Sequence, residues 1–279
     1  MRAAVLGHPI AHSLSPVLHR RAYQELGLDW DYQAVDVTAD QLREFLDSLD
    51  AAWVGLSLTM PLKDAVLPLL DEVEPLAAAT AAVNTVLLSA GRRRGLNTDI
   101  TGLRSILRDA GAVRGTRALV VGAGATARSA VAALFSEGAG SVAVSARRPD
   151  AVRDLRRRLA GLSDALGHPG ATVHPETWPP QLDPWDVVVS TVPAHALDGL
   201  AAPIKPSGLL VDVIYDPWPT PLAIGWTRGG GQVVGGLELL VRQAVEQVAQ
   251  MTGRRPTAGL MRAAGESALR ARRFAQEEQ

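Results

Sequence analysis

A chain of 279 residues, 47% hydrophobic and 20% charged, is long enough to bury a large core and to hold two domains. Its formal net charge of −1 supplies no overall field for nucleic acid or an anionic membrane, and the absence of cysteine excludes disulfides and thiolate metal sites. The first apolar run breaks at Gly7-His8-Pro9, too early for a signal peptide, and no apolar stretch is long enough to span a membrane, so a cytoplasmic protein is expected.

The pattern opens with a strand, Ala3 to Leu6, and a loop, Ile10 to Pro16. A helix follows from Val17 to Leu26, with Ser15 as N-cap and Pro16 at N1. Tyr32 to Val35 reads as a strand, Ala39 to Leu49 as a helix capped by Thr38, and Trp53 to Leu58 as a third strand. Helical pieces run through Leu70 and Ala79. Val83–Leu87 and Arg94–Leu96 form a hairpin across Ser89-Ala90-Gly91, and Asp99 opens a helix from Thr101 to Ala110. Beyond the next glycines the alternation restarts with strands at Arg117–Val121, Ser141–Ser145, Asp186–Ser190, Leu209–Val213 and Gly231–Val234. An arginine-rich helix spans Ala151 to Leu166 as a solvated face, and Gly167 to Pro184 is loop with one strand at Ala171-Thr172-Val173. Two helices close the chain, Leu237 to Met251 and about Thr257 to Phe274.

Strands alternating with helices imply a parallel sheet covered on both faces, and hence an α/β protein. The first hundred residues alternate without a phosphate loop. The expected organisation is therefore an N-terminal α/β substrate domain, a doubly wound Rossmann-type dinucleotide-binding domain, and C-terminal helices returning to the first domain. The boundaries are 1–101 plus 237–279 for the substrate domain and 102–236 for the nucleotide domain.

The stretch Val120-Val121-Gly122-Ala123-Gly124-Ala125-Thr126-Ala127 carries the nucleotide reading. A strand runs into glycines and then into good helix formers, the order a dinucleotide fingerprint requires. Gly122 permits the tight turn, Gly124 lets the backbone approach a pyrophosphate, and free N–H groups at the helix start face the phosphates. About twenty residues on, where an acid would bind the ribose 2′-hydroxyl of NAD, stand Arg147 and Arg148, with Asp150 close by. A guanidinium fork suits a 2′-phosphate, which favours NADP.

Three polar clusters in the first domain sit where the pattern expects turns: His12 to Pro16, Ser57 to Lys63, and Asn97-Thr98-Asp99. Singly, each reads as helix caps or a surface lysine. Together they supply hydroxyls, a lysine and an acid, the inventory for holding a small polyhydroxylated acid and moving a proton during hydride transfer. Of 28 basic residues only Lys63 and Lys205 are lysine, which makes Lys63 the more informative. The six histidines, His8, His12, His19, His168, His174 and His195, have no metal-ligand spacing, and no metal is expected.

In this order, Ser-x-Ser-Pro, Thr-x-Pro-x-Lys, Val-Asn-Thr, Asn-Thr-Asp and Gly-Ala-Gly, the chain resembles the shikimate dehydrogenase family. Asp212-Val213-Ile214-Tyr215-x-Pro and Gly236-Leu237-x-x-Leu240-Val241-x-Gln243-Ala244 are similar to that family too, so the resemblance runs from Gly7 to about Ala244. It implies a site in the cleft between two domains. Ser13, Ser15 and Tyr215 would hold the substrate carboxylate, and Thr59, Asn84 and Gln243 would bond ring hydroxyls or the carboxylate end. Lys63 and Asp99 would be the catalytic pair. Gly122, Ala123, Gly124, Ala125, Thr126 and Arg147 would bind NADP, with Val192, Val213 and Gly236 along its path.

The family's Asn-Val-Thr is here Ser57-Leu58-Thr59, and Ala125, Ala146 and Leu239 also depart from its usual residues. None of these changes removes a catalytic group. The implied activity is the reversible, NADP-dependent reduction of 3-dehydroshikimate to shikimate, in a monomer or homodimer whose partner is a small molecule, neither nucleic acid nor membrane. A quinate/shikimate or aminoshikimate-type dehydrogenase using NAD, or a non-catalytic nucleotide-sensing regulator on the same fold, is the alternative.

Overall fold

The structure is a computed structural model that describes residues 1–111, 115–198 and 208–277; Lys205 lies outside them. The chain divides into two compact units, Met1–Thr98 with Leu240–Gln279, and Asp99–Leu239.

The first unit begins with β1 (Arg2–Gly7), α1 (Ser15–Glu25), β2 (Asp31–Asp36), α2 (Leu42–Asp47), β3 (Trp53–Leu58) and α3 (Leu62–Ala65). A short 3-10 turn leads to β4 (Glu72–Val73), α4 (Pro75–Ala79) and the pair β5 (Thr85–Ser89) and β6 (Arg92–Leu96), after which α5 (Thr98–Asp109) takes the chain into the second unit. The sheet order is β2-β1-β3-β5-β6-β4, parallel except where β5 pairs with β3 and β6. Leu6, Leu42, Leu56, Leu62, Val83 and Val86 form the core on one side of this sheet.

The second unit holds β7 (Arg117–Val121), α6 (Ala125–Ser136), β8 (Ser141–Ser145), α7 (Pro149–Arg158), α8 (Leu162–Ala165), β9 (Thr172–Pro175), β10 (Val187–Ser190), β11 (Leu209–Asp212), α9 (Pro221–Arg228) and β12 (Gln232–Gly235). All its strands pair in parallel, in the order β12-β11-β10-β7-β8-β9. Numbered within the unit, that is the doubly wound order 3-2-1-4-5-6. The inner strands are buried on both faces, which is why they read as unbroken aliphatic runs rather than alternating ones. From Ala127 to Phe135 helix α6 is buried all round, its alanines keeping it close to the sheet.

Finally, α10 (Gly236–Thr252) carries the chain back into the first unit, and α11 (Ala258–Glu277) packs along α1. There Arg272 Nη1 donates to the His12 carbonyl at 2.9 Å. Among the described residues, no helix is long and apolar enough to cross a membrane.

Besides the unexpected short strand β4 and the start of α5 at Thr98 rather than Thr101, the observed elements differ from the expected ones as follows. Ser15 is not an N-cap but the first residue of α1; its N–H donates to Ser13 Oγ at 3.2 Å. Helix α2 starts at Leu42 because Thr38 turns back on Gln41, whose Oε1 accepts from the Thr38 N–H at 3.1 Å and the Thr38 hydroxyl at 2.9 Å. The arginine-rich helix breaks after Arg158, where Gly161 sits in the left-handed region at φ 84°. Helix α9 was not expected, although Thr220-Pro221 is a cap signal: Thr220 Oγ1 accepts from the Ala223 N–H at 3.1 Å.

On the inner face of α1, His19 is fully buried, its ring stacked on Tyr32 at 3.8 Å between centroids. Its Nδ1 donates to the Ser15 carbonyl at 2.9 Å, since a carbonyl can only accept. Burial lowers the imidazole pKa from 6.5 to about 4. The folded chain thus keeps His19 neutral where the unfolded chain would protonate it, and stability falls as pH drops from 6.5 towards about 4. At pH 5 the loss should reach about 2 kcal/mol relative to pH 7. The urea midpoint should therefore fall further between pH 7 and pH 5 for wild type than for His19→Phe, which has no imidazole to protonate; equal shifts in the two proteins would show that His19 is not held neutral by burial.

Candidate active site

In the second unit, the strand order reverses between β7 and β10, and a crevice is expected at that switch point. Gly122 leaves β7 at φ 115°, in the left-handed region, and its N–H donates to the Ser145 carbonyl at 2.8 Å. A Cβ at this position would lie 2.2 Å from Thr191 Oγ1, itself anchored on the Val121 carbonyl at 2.9 Å. Only glycine fits there. Gly124 is different: it is exposed, occupies the N-cap of α6, and a Cβ would meet no atom within 4 Å. With no side chain to take the first-turn N–H groups, it leaves them to an anion.

A cavity of about 500 Å³ joins this loop to the end of β8, lined by Gly122, Ala123, Gly124, Arg147, Arg148, Trp178 and Val192 among others. Ala125 and Thr126 form the first turn of α6. Arg147 is exposed, and among the described residues no carboxylate pairs with it. Asp150 is turned instead to Arg153 on its own helix. Further along, Val213 extends the β10–β11 pairing, its N–H donating to the Ser190 carbonyl at 3.1 Å. Gly236 is pressed on this backbone; a Cβ would lie 2.1 Å from the Val213 carbonyl oxygen. An exposed guanidinium and the glycine loop with the first-turn amides of α6, around one cavity, fit a dinucleotide bearing a 2′-phosphate.

In the first unit, the structure gathers a second polar set at the ends of β3 and β5. Asn84 is buried, and its Oδ1 accepts from the Thr98 N–H at 2.8 Å and the Thr85 hydroxyl at 2.8 Å. Its Nδ2 donates to Thr98 Oγ1 at 3.0 Å and faces Gln243 Oε1 at 3.4 Å. Gln243 is oriented from its own helix, Nε2 donating to the Leu240 carbonyl at 2.8 Å. Two expected ligand residues, 159 apart in sequence, thus meet. Because Asn84 holds the first N–H of α5, it also fixes where that helix begins.

The remaining expected residues fall at five places. Ser13 and Ser15 open α1, linked by the hydrogen bond described above. Thr59 follows β3, its N–H donating to the Leu6 carbonyl at 2.9 Å, with its methyl filling the space beside Gly7. Lys63 lies on α3, half-buried, and its carbonyl accepts from the Val83 N–H at 2.9 Å. Asp99 is buried in the first turn of α5, and Tyr215 is half-buried beyond β11.

Sequence reasoning missed Thr191 and Gln247. Thr191 stands one residue past β10 at the switch point, a position that could have flagged it. Gln247 lies one helical turn beyond Gln243, on the same face of α10, and an amide repeating at i, i+4 was the available signal. Ser57 does not project as a free hydroxyl. It is buried, accepting from Tyr32 Oη at 2.6 Å and donating to Gln247 Oε1 at 2.8 Å.

Residues 5–86 match the family model described as the shikimate dehydrogenase substrate binding domain. The chain is 39% identical to the shikimate dehydrogenase (NADP(+)) of Citrifermentans bemidjiense, over 97% of this chain and 94% of that protein. Its structure resembles the crystal structure of Mycobacterium tuberculosis shikimate dehydrogenase, with a TM-score of 0.83, 36% identity, and 95% and 99% of the two chains covered. It also resembles the shikimate 5-dehydrogenase of Thermus thermophilus solved with NADP(H) and shikimate, with a TM-score of 0.79, 32% identity, and 96% and 99% covered.

The two loop glycines should separate by experiment. Gly122→Ala meets Thr191 and an unfavourable φ, and should lower Tm by the equivalent of about 1–3 kcal/mol. Gly124→Ala meets nothing in the protein and should melt with wild type, yet bind dinucleotide more weakly, because its methyl stands where the phosphates approach. Thermal melting and isothermal titration read the two effects independently.

Proposed function

We propose that this chain, which belongs to the shikimate dehydrogenase family, catalyses the reversible, NADP-dependent reduction of 3-dehydroshikimate to shikimate. The observation that carries the reading is the cavity at the switch point, where Gly122, Gly124 and an exposed Arg147 converge, in a chain whose other unit brings Asn84 and Gln243 together. The activity names an oxidoreductase acting on a CH–OH group. We further assign it to the cytoplasm, which the cysteine-free sequence supports.

NADP, when bound, would supply or accept the hydride at the substrate carbon that bears the hydroxyl. The backbone from Gly122 to Thr126 would receive the pyrophosphate and the Arg147 fork the 2′-phosphate, with Val192, Val213 and Gly236 bordering the rest of the cofactor. Ser13, Ser15 and Tyr215 hold the substrate carboxylate through hydroxyl donors. Thr59, Asn84 and Gln243 hydrogen-bond its ring hydroxyls. In reduction, Lys63 donates the proton to the carbonyl oxygen, with Asp99 as the acid of the catalytic pair. In oxidation the same pair takes the proton back. Support for these roles comes from the motif order, the burial of Asp99 and the amide pair; kinetics of variants test each one.

The direct test follows nicotinamide absorbance with shikimate and NADP, against quinate and NAD in parallel. Turnover with shikimate and NADP is expected to dominate, and a chain inert toward shikimate would overturn the reading. Arg147→Ala should raise KM for NADP about tenfold to a hundredfold, the range of a lost charge-assisted hydrogen bond, while changing KM for NAD little. Equal losses with both cofactors would show that the arginine reads no phosphate.

Lys63→Arg tests the proton. A guanidinium keeps its charge but effectively cannot release a proton, and its planar fork is wider than an ammonium. The variant should fold and bind NADP, yet lose about 10²–10⁴-fold in kcat, with a much smaller change in shikimate KM. A kcat within a few-fold of wild type would remove Lys63 from proton transfer.

A further inference from the structure

One run of buried polar groups takes no part in the roles above, yet ends on Asn84. Tyr32 Oη donates to Ser57 Oγ at 2.6 Å, and Ser57 Oγ donates to Gln247 Oε1 at 2.8 Å. Gln247 Nε2 then donates to the Asn84 backbone carbonyl at 3.2 Å and to Thr85 Oγ1 at 3.0 Å. Thr85 Oγ1 donates in turn to Asn84 Oδ1 at 2.8 Å. Tyr32, Ser57, Thr85, Asn84 and Gln247 are all buried.

The direction of this run is not arbitrary. The Asn84 carbonyl can only accept, so the amide end of Gln247 that faces it must be Nε2. That turns Oε1 to Ser57, whose proton it takes, and leaves the Ser57 oxygen to accept from Tyr32. Both protons of Gln247 Nε2 are committed, so Thr85 Oγ1 is an acceptor on that side and donates only toward Asn84. The Asn84 carbonyl is held a second time by the Leu58 N–H at 2.8 Å, and the Asn84 N–H by the Leu96 carbonyl at 3.1 Å. Asn84 is therefore gripped at its backbone by β3, β6 and α10, and at its side chain by Thr85 and Thr98. Its Nδ2 faces Gln243, one turn before Gln247 on α10.

We propose that Gln247 is a positioning residue for substrate binding: it works through Thr85 and the Asn84 carbonyl to hold the Asn84 amide, with Ser57 and Tyr32 fixing Gln247 from behind. The assignment rests on the functional reading above, in which Asn84 and Gln243 hydrogen-bond the substrate. It gives Ser57 a definite task, orientation of Gln247 rather than contact with the ligand. A buried amide with all its protons paired resists rotation, because any other rotamer leaves a donor unsatisfied in an apolar interior. Gln247 thus transmits order to Asn84 without touching the substrate.

The test is steady-state kinetics and thermal melting of the full chain, for wild type, Gln247→Leu, Thr85→Val and the double variant. Each single change should raise shikimate KM about tenfold, the worth of one ordered hydrogen bond, while NADP KM stays within roughly twofold. The double variant should be no worse than the poorer single one, because both cut the same relay. Should Gln247→Leu fail to fold, Thr85→Val, which keeps the side-chain shape, gives the same reading. Folded variants with an unchanged shikimate KM, or with both KM values raised alike, would overturn the proposal. A wild-type chain inert toward shikimate would overturn the functional reading and this inference with it, whereas an active wild type with unaffected variants would overturn this inference alone.

Discussion

The first unit depends on keeping one amide satisfied in an apolar interior. Asn84 presents a backbone N–H, a backbone carbonyl and a side-chain amide, all withdrawn from water, and each would be costly if unpaired. Its partners come from β3, β5, β6, α5 and α10, so satisfying one residue aligns five elements. Such a network specifies a geometry more narrowly than apolar packing does, because hydrogen bonds weaken steeply with angle. The strand end, the start of α5 and the returning helix α10 are registered on the same few atoms.

In the second unit the governing constraint is steric. A parallel sheet of doubly wound order brings the ends of β7 and β10 side by side, with Val121 paired to Ser190. The chain leaving β7 must turn over the side chain that follows β10, and the absence of a Cβ at Gly122 lets Thr191 fill that space. Gly124 serves a separate purpose. It has room around it in the protein, and the space it leaves faces the cavity rather than a neighbouring side chain. Two glycines of one fingerprint thus answer to different needs, one internal to the fold and one external.

The arginines show how location decides chemistry. Arg104 and Arg108 both reach Glu137, at 2.8 and 2.7 Å, and Arg157 and Arg158 both reach Asp154 on the exposed face of α7. Glu137 is nearly buried beneath its two arginines, whereas the pairs to Asp154 are exposed, contribute little and fit the reading of α7 as a solvated face. Arg147 differs by lining the cavity with no carboxylate partner among the described residues, so its charge is left for a ligand.

By itself the sequence determined the fold class and the order of the motifs. Those signals are local: aliphatic runs mark buried parallel strands, and a strand running into Gly122-Ala123-Gly124 marks the nucleotide loop. Trp53–Leu58 and Ser141–Ser145 were legible to the residue for that reason, while α9 and the start of α2 were not, being set by how Thr220 and Thr38 direct their hydroxyls. The same limit applied to the candidate site. Asn84 and Gln243 could be named from motifs, but their meeting could not, nor could the burial of Ser57 between Tyr32 and Gln247. Only the tertiary structure decided these, because a hydrogen bond between residues far apart in sequence has no local signature. Its donor, acceptor and direction exist only once β2, β3, β5 and α10 have packed and water has been excluded from between them.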